Sequence, residues 1–190
     1  MTSFTLDTNC IIDVDESRPA APSVQALLSA WAVGNVDLAL VASSASERQQ
    51  GGLYLSNFET FDQRRNALGF GGIPLLPSMA RWNLSFFGQS LYGSPEGLER
   101  EALIYGALFP SSPFEWADYA RAKGVAVDDL GSSAHARWRN QILDAQALWA
   151  HDHAGRQVFV TSDQRLWVLN DHPDFPRMVI RPPEDAVTLI

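Results

Sequence analysis

Four carboxylates in this chain stand where acids can do chemistry: Asp7, Glu47, Asp144 and Asp163. Asp7 ends the run Ser3-Phe4-Thr5-Leu6, whose residue types suit a buried strand. Glu47 comes shortly after the apolar run Val36-Asp37-Leu38-Ala39-Leu40-Val41-Ala42, and Asp163 follows Gln157-Val158-Phe159-Val160-Thr161. Asp144 lies inside a long helical pattern at 133–154, among Ile142, Leu143, Ala145, Ala147, Leu148 and Trp149. Neighbouring strands of a parallel sheet bring their carboxyl ends to one edge, where open α/β sheets place their ligands. Asp7, Glu47 and Asp163 can therefore share a cleft, and Asp144 joins them if its helix packs beside that edge. Four such groups repel one another, by up to roughly 4 kcal/mol for a close pair at intermediate dielectric. A divalent cation removes the conflict, and oxygen-only donors suit Mg²⁺ or Mn²⁺. Such a centre can activate water and stabilise charge on a phosphodiester. Asn9, Asn140 one turn before Asp144, and Thr161 two residues before Asp163 supply the amides and hydroxyl that orient carboxylates.

Each acid also has a plainer reading. Ser44-Ala45-Ser46-Glu47 matches a capping box, in which Glu47 only satisfies a backbone donor. Asp7 and Asp163 follow strands and precede helices, where Asp serves as an N-cap. Asp144 could lie on a solvated stripe with Arg137, Gln141 and His151, although Asp is a poor mid-helix residue.

The elements that must position these acids alternate. A strand at the start turns into a helix at Ile11-Ile12, and a polar loop covers 13–22. A helix from about 23 stops at Gly34-Asn35, a strand spans 36–42, and a second helix opens at 43–47. Strand, helix, strand, helix implies a parallel sheet. From 51 to 117 the chain is rich in Gly, Pro and aromatics, with helical candidates at 58–68 and 97–109. Regular pattern returns at 116–123, where Gly124 stops a helix, and continues with the helix at 133–154 and the strand at 157–161. A short helix follows at 164–169, and a fourth strand lies at 178–181. We therefore expect one domain over 1–190 with a largely helical elaboration at about 51–117.

Composition narrows the class. At 46% hydrophobic, with ten Phe, six Trp and four Tyr, the chain can build a substantial core. A net charge of −8 argues against general coating of nucleic acid, although a metal-binding acid cluster itself adds negative charge. The one cysteine, Cys10, excludes an internal disulfide and is expected in the core. No apolar run has the length of a membrane span and no signal peptide is evident, so a cytoplasmic location is expected. His151 and His153 read as cations at a helix C-terminus. Arg64-Arg65 and Arg137-x-Arg139 read equally as phosphate contacts or solvated faces, and the aromatics of 51–117 as packing more than as stacking surfaces for bases. An Asp-nucleophile phosphatase built on Asp7 fits poorly, because position 9 is Asn and the only lysine is Lys123.

Leu6-Asp7-Thr8-Asn9 after a first strand, Glu47 after a second, Asn140-x-x-x-Asp144 in a late helix and Thr161-Ser162-Asp163 after the next strand resemble the PIN-domain nucleases. Val179-Ile180-Arg181-Pro182-Pro183-Glu184 is similar to that family's last strand and the segment after it. The resemblance covers about 3–50 and 130–185. It implies a three-layer α/β/α domain around a parallel sheet of four or five strands. It also implies Mg²⁺- or Mn²⁺-dependent hydrolysis of RNA, leaving a 5′-phosphate and a 3′-hydroxyl, with Asp7, Glu47, Asp144 and Asp163 as the acidic quartet. Many bacterial members are toxins of VapC type held by a small antitoxin, and homodimers are common among them. This sequence departs from the pattern in two ways: Trp167 stands where a further acid often follows Asp163, and the middle segment is longer than a minimal toxin's. The alternative from another class is a PIN-like module that binds RNA or a protein without cutting.

Overall fold

The computed structural model describes residues 1–47 and 57–190. The chain opens with β1 (Ser3–Leu6), α1 (Thr8–Asp15), α2 (Ala21–Ala32) and β2 (Asp37–Val41). A 3-10 turn at Ala42–Ser46 follows, then α3 (Phe58–Ala67), β3 (Leu75–Leu76), β4 (Ser78–Met79), β5 (Ser90–Leu91), α4 (Pro95–Leu108) and α5 (Trp116–Lys123). The last third holds α6 (Ser133–His153), β6 (Val158–Val160), a 3-10 helix at Gln164–Leu169, β7 (Ile180–Arg181), α7 (Pro183–Ala186) and a closing 3-10 turn.

Five strands form one all-parallel sheet in the order β3-β2-β1-β6-β7. The side-chain period of two assigns the faces. Phe4, Leu6, Leu38, Leu40, Val158 and Val160 pack with Val24 and Leu27 of α2 and Ile11 of α1. Val41, Phe159 and Ile180 face the other way, onto Ile142, Leu148 and Trp149 of α6 and Ile104 of α4. The result is a three-layer α/β/α domain. Residues from 79 to 119 enter the second layer directly through Met79, Leu84, Ile104, Tyr105 and Tyr119. Along this stretch β4 and β5 add a separate two-stranded parallel ribbon.

The structure differs from the sequence reading at several places. The strand β3 was not expected. Two residues carry no visible period, and Leu75 and Leu76 become a strand only by pairing with Leu40 and Val41. Helix α1 continues to Asp15, because Asp13 turns inward to accept from Ser162 Oγ at 2.9 Å instead of starting a polar loop. At 43–47 the chain forms a 3-10 turn that ends before Glu47, not the first turn of an α-helix. Any continuation of that helix, and the start of the elaboration at 51, fall outside the described residues. Among the described residues no helix is long and apolar enough to cross a membrane.

Candidate active site

The parallel sheet brings its carboxyl ends to one edge, and Asp7 sits there. Its backbone N–H donates to Val160 O at 3.0 Å, so the residue is still tied to β6 as it leaves β1. Its Oδ1 accepts from Thr8 N at 2.8 Å, which caps α1. Its Oδ2 accepts from Thr161 Oγ1 at 2.6 Å and Asn9 Nδ2 at 3.0 Å. The cap and the site reading therefore describe the same carboxylate. Thr161 Oγ1 also accepts from Asp163 N at 3.0 Å, so one hydroxyl sets the spacing of two acids. Asp163 in turn caps the following 3-10 helix through Arg165 N at 2.9 Å.

Glu47 is placed by a different route. Among the described residues Ser44 and Glu47 make no capping box: the 3-10 turn ends at Ser46 and Glu47 is extended. Thr8 Oγ1 lies 2.5 Å from Glu47 Oε1 and 2.7 Å from Ser44 Oγ, so the residue after Asp7 also holds Glu47. The segment before Glu47 is pinned by Arg139, whose Nη2 donates to Ser46 O at 2.7 Å and whose Nη1 donates to Asn83 O at 3.1 Å. Ser46 Oγ donates to Leu84 O as well.

Helix α6 contributes the fourth acid. Residues 140, 144, 147 and 151 share one face of it. His151 anchors that face low on the sheet, with Nδ1 2.8 Å from Thr5 Oγ1 of β1. Two residues along β1 stands Asp7; two turns back along α6 stands Asp144. The helix thus runs antiparallel to the strand and delivers Asp144 to the strand's tip. Asp7, Asn9, Glu47, Asn140, Asp144, Asp163 and Arg165 line one cavity of about 170 Å³.

Burial makes this cavity electrostatically costly. Loss of solvent, and then the neighbouring Asp7 charge, push the Asp144 carboxyl up to about 8, against some relief from Arg165. Burial also raises Glu47 well above the usual range, reinforced by Asp7. Asp7 is raised by burial despite its hydrogen bonds from Thr161, Thr8 and Asn9. Asp163 goes the other way: burial raises it, but hydrogen bonds and charge from Arg165 outweigh that and hold it below its ordinary value.

The donor chemistry of this set fits a hard divalent cation: four carboxylates, oxygen donors only, three of them disfavoured as anions where they stand. Their present geometry is not a closed chelate. Among the described residues no group of three or more His, Cys, Asp or Glu side chains is arranged to hold an ion. Local donors explain why. Thr161, Asn9 and the Thr8 amide engage Asp7, Thr8 engages Glu47, and Arg165 engages Asp163 through Nε at 3.0 Å to both oxygens.

Other residues fall away from the site. His151 is buried, not a terminal cation; burial lowers its pKa to about 4, because its turn of α6 lies against β1. His153 stacks on Trp149 with centroids 4.6 Å apart. Arg64 pairs with Asp15 and Arg65 with Asp62, and Arg139 holds backbone carbonyls, so these three serve structure, while Arg137 is exposed on α6. Cys10 is fully buried in the first layer, as its residue type suggests. Sequence reasoning missed Thr8 and Arg165. Thr8 carried a signal, since it lies inside the Asp7 motif, whereas Arg165 carried none beyond its position two residues after Asp163.

No family model matches the sequence, and no curated protein matches it. Among solved structures, VapBC2 from Rickettsia felis, bound to a DNA fragment from the promoter of its own components, aligns over 95% of this chain and 98% of that one. The identity is 14% and the TM-score 0.41.

Proposed function

We propose that this chain is a metal-dependent ribonuclease with Asp7, Glu47, Asp144 and Asp163 as its catalytic and metal-holding acids. One observation carries the reading: four carboxylates from separate parts of the chain line a single small cavity at the carboxyl edge of a parallel sheet. Three of them, Asp7, Glu47 and Asp144, are raised in pKa by burial, Glu47 and Asp144 also by the Asp7 charge and Asp7 by that of Asp163, a condition that a cation relieves. Mg²⁺ or Mn²⁺ bound there would supply charge neutralisation and Lewis acidity toward a phosphodiester oxygen. The protein's own groups do the positioning. Thr161 and Asn9 fix the Asp7 carboxylate, Thr8 fixes Glu47, and Asn140 presents an amide one turn from Asp144. The unit we assign is a single PIN-like domain over 1–190, elaborated at about 51–117. Its substrate is RNA and its setting the cytoplasm. A small antitoxin and a homodimeric state belong to the same reading.

Asp7→Asn tests it. The variant should keep the wild-type circular dichroism spectrum and lose at least about a hundredfold in Mn²⁺-dependent cleavage of single-stranded RNA, the scale on which single electrostatic groups act in catalysis. Full activity in this variant rules the assignment out.

A second reading is an inert PIN-like module that binds RNA or protein. The grip of Arg165 on Asp163 and the lack of a preformed chelate among the described residues favour it. Calorimetric titration with Mn²⁺ separates the two, since the inert module takes up no ion.

A further inference from the structure

Among the described residues, Arg165 is the one basic side chain that lines the acidic cavity. Its guanidinium lies against Asp163, with Nε 3.0 Å from both carboxylate oxygens and Nη2 2.5 Å from Oδ2. The same Nη2 is 3.9 Å from Asp144 Oδ2. One planar cation therefore sits between two of the four acids, against carboxylate oxygens that an ion shared by them would use. The contacts are strong in kind, charge-assisted and forked. The arm that makes them is nevertheless 71% exposed and springs from a short 3-10 helix, so it can swing without unpacking the core.

Two demands meet at this residue. Asp163 and Asp144 would offer a divalent ion the same lone pairs that the guanidinium now engages or approaches. A phosphodiester entering the cavity carries its own negative charge toward four carboxylates, and needs a donor at the mouth. An arginine fork matches phosphate oxygens as well as it matches a carboxylate. Arg165 is tethered two residues from Asp163, so once displaced it stays within reach of the cavity.

We propose that Arg165 is the substrate-phosphate ligand of this site, stored on Asp163 and released to the cavity mouth when a divalent cation takes the carboxylates. The proposal rests on the ribonuclease reading. It makes ion and guanidinium alternative occupants of one position, so removing the guanidinium shifts two affinities in opposite directions.

The test measures Mn²⁺ binding by calorimetry, without RNA, in wild type and Arg165→Gln. A second titration measures a labelled single-stranded oligoribonucleotide by fluorescence anisotropy, with Ca²⁺ replacing Mn²⁺ to limit turnover. Loss of a competing charge-assisted bond should tighten Mn²⁺ binding about tenfold and weaken RNA binding about tenfold. Arg165→Lys keeps the charge without the fork and should recover only part of the RNA affinity. Unchanged or weaker Mn²⁺ binding in Arg165→Gln overturns the proposal while the ribonuclease reading stands, and so does unchanged RNA binding. A merely structural role for Arg165 would weaken both, which also overturns it. If the wild-type protein itself takes up no Mn²⁺, the ribonuclease reading fails and this proposal with it.

Discussion

Two buried carboxylates in this molecule meet opposite fates. Glu101 of α4 is wholly inaccessible, and Arg81 grips it with two bonds, Nε to Oε1 at 3.2 Å and Nη2 to Oε2 at 2.9 Å. Arg81 is itself held over the Phe114 ring, 4.5 Å from its centroid. Asp144 of α6 is also mostly buried, yet among the described residues the nearest guanidinium, that of Arg165, is 3.9 Å away and engaged with Asp163. One acid has its counter-charge built into the packing. The other is left among like charges facing a cavity. A buried charge that is fully paired serves architecture; buried carboxylates that face one another across a cavity mark a place for a ligand.

Breaking the paired side should cost most. Arg81→Met strands Glu101 without its partner, and chemical denaturation should show a loss of about 3 kcal/mol, within the range for removing one member of a buried pair. The unpaired side should respond with the opposite sign. Asp144→Asn removes a charge the fold disfavours, so thermal unfolding of the metal-free protein should show a gain on the order of 2 kcal/mol near pH 8. The sign follows from proton uptake. The Asp144 carboxyl is raised from 3.8 to about 8, so the folded state holds its proton more tightly than the unfolded chain. The penalty is therefore absent below pH 4, grows as pH rises, and is complete above about 8. A gain from Asp144→Asn that did not grow between pH 4 and 8 would contradict this account. A cation should erase the difference: millimolar Mn²⁺ should raise the melting temperature of wild type by a few degrees, and Asp144→Asn by clearly less.

The smallest effect concerns the other end of the same helix face. His151 is held neutral, its pKa lowered to about 4 by burial. The unfolded chain takes its proton near pH 6.5 while the folded protein refuses it, so this contribution is intact above 6.5 and lost as pH falls toward 4. His151→Gln keeps a donor for Thr5 and cannot titrate. Its melting temperature should fall less than that of wild type between pH 6.5 and 4.5, by an amount worth about 1 kcal/mol.

The strands β1, β2 and β6 were legible because each is a run of apolar and β-branched residues next to a turn signal. Helices α5 and α6 were legible through their helical pattern and stops such as Gly124, which takes up φ +66° at the end of α5, and α3 and α4 as helical candidates in a stretch without a clean period. What escaped reading depended on partners. Leu75 and Leu76 form a strand because β2 offers a free edge. His151 looks like a terminal cation until β1 covers it. Arg165 looks like any exposed arginine until Asp163 and Asp144 flank it.

The sequence by itself determined the alternation of strands and helices, the parallel sense of the sheet and the four acids that could matter. These follow from local periodicity and from the rule that parallel strands end on one edge. Only the tertiary structure decided which charges were answered. Glu101 and Asp144 are both acids within helices, and nothing in their neighbours along the chain separates them. The difference arises because Arg81 reaches one from twenty residues away, while among the described residues the partner nearest the other comes from beyond the next strand and is already shared. Desolvation and Coulomb energy depend on distances in space, and those distances exist only after the layers have packed.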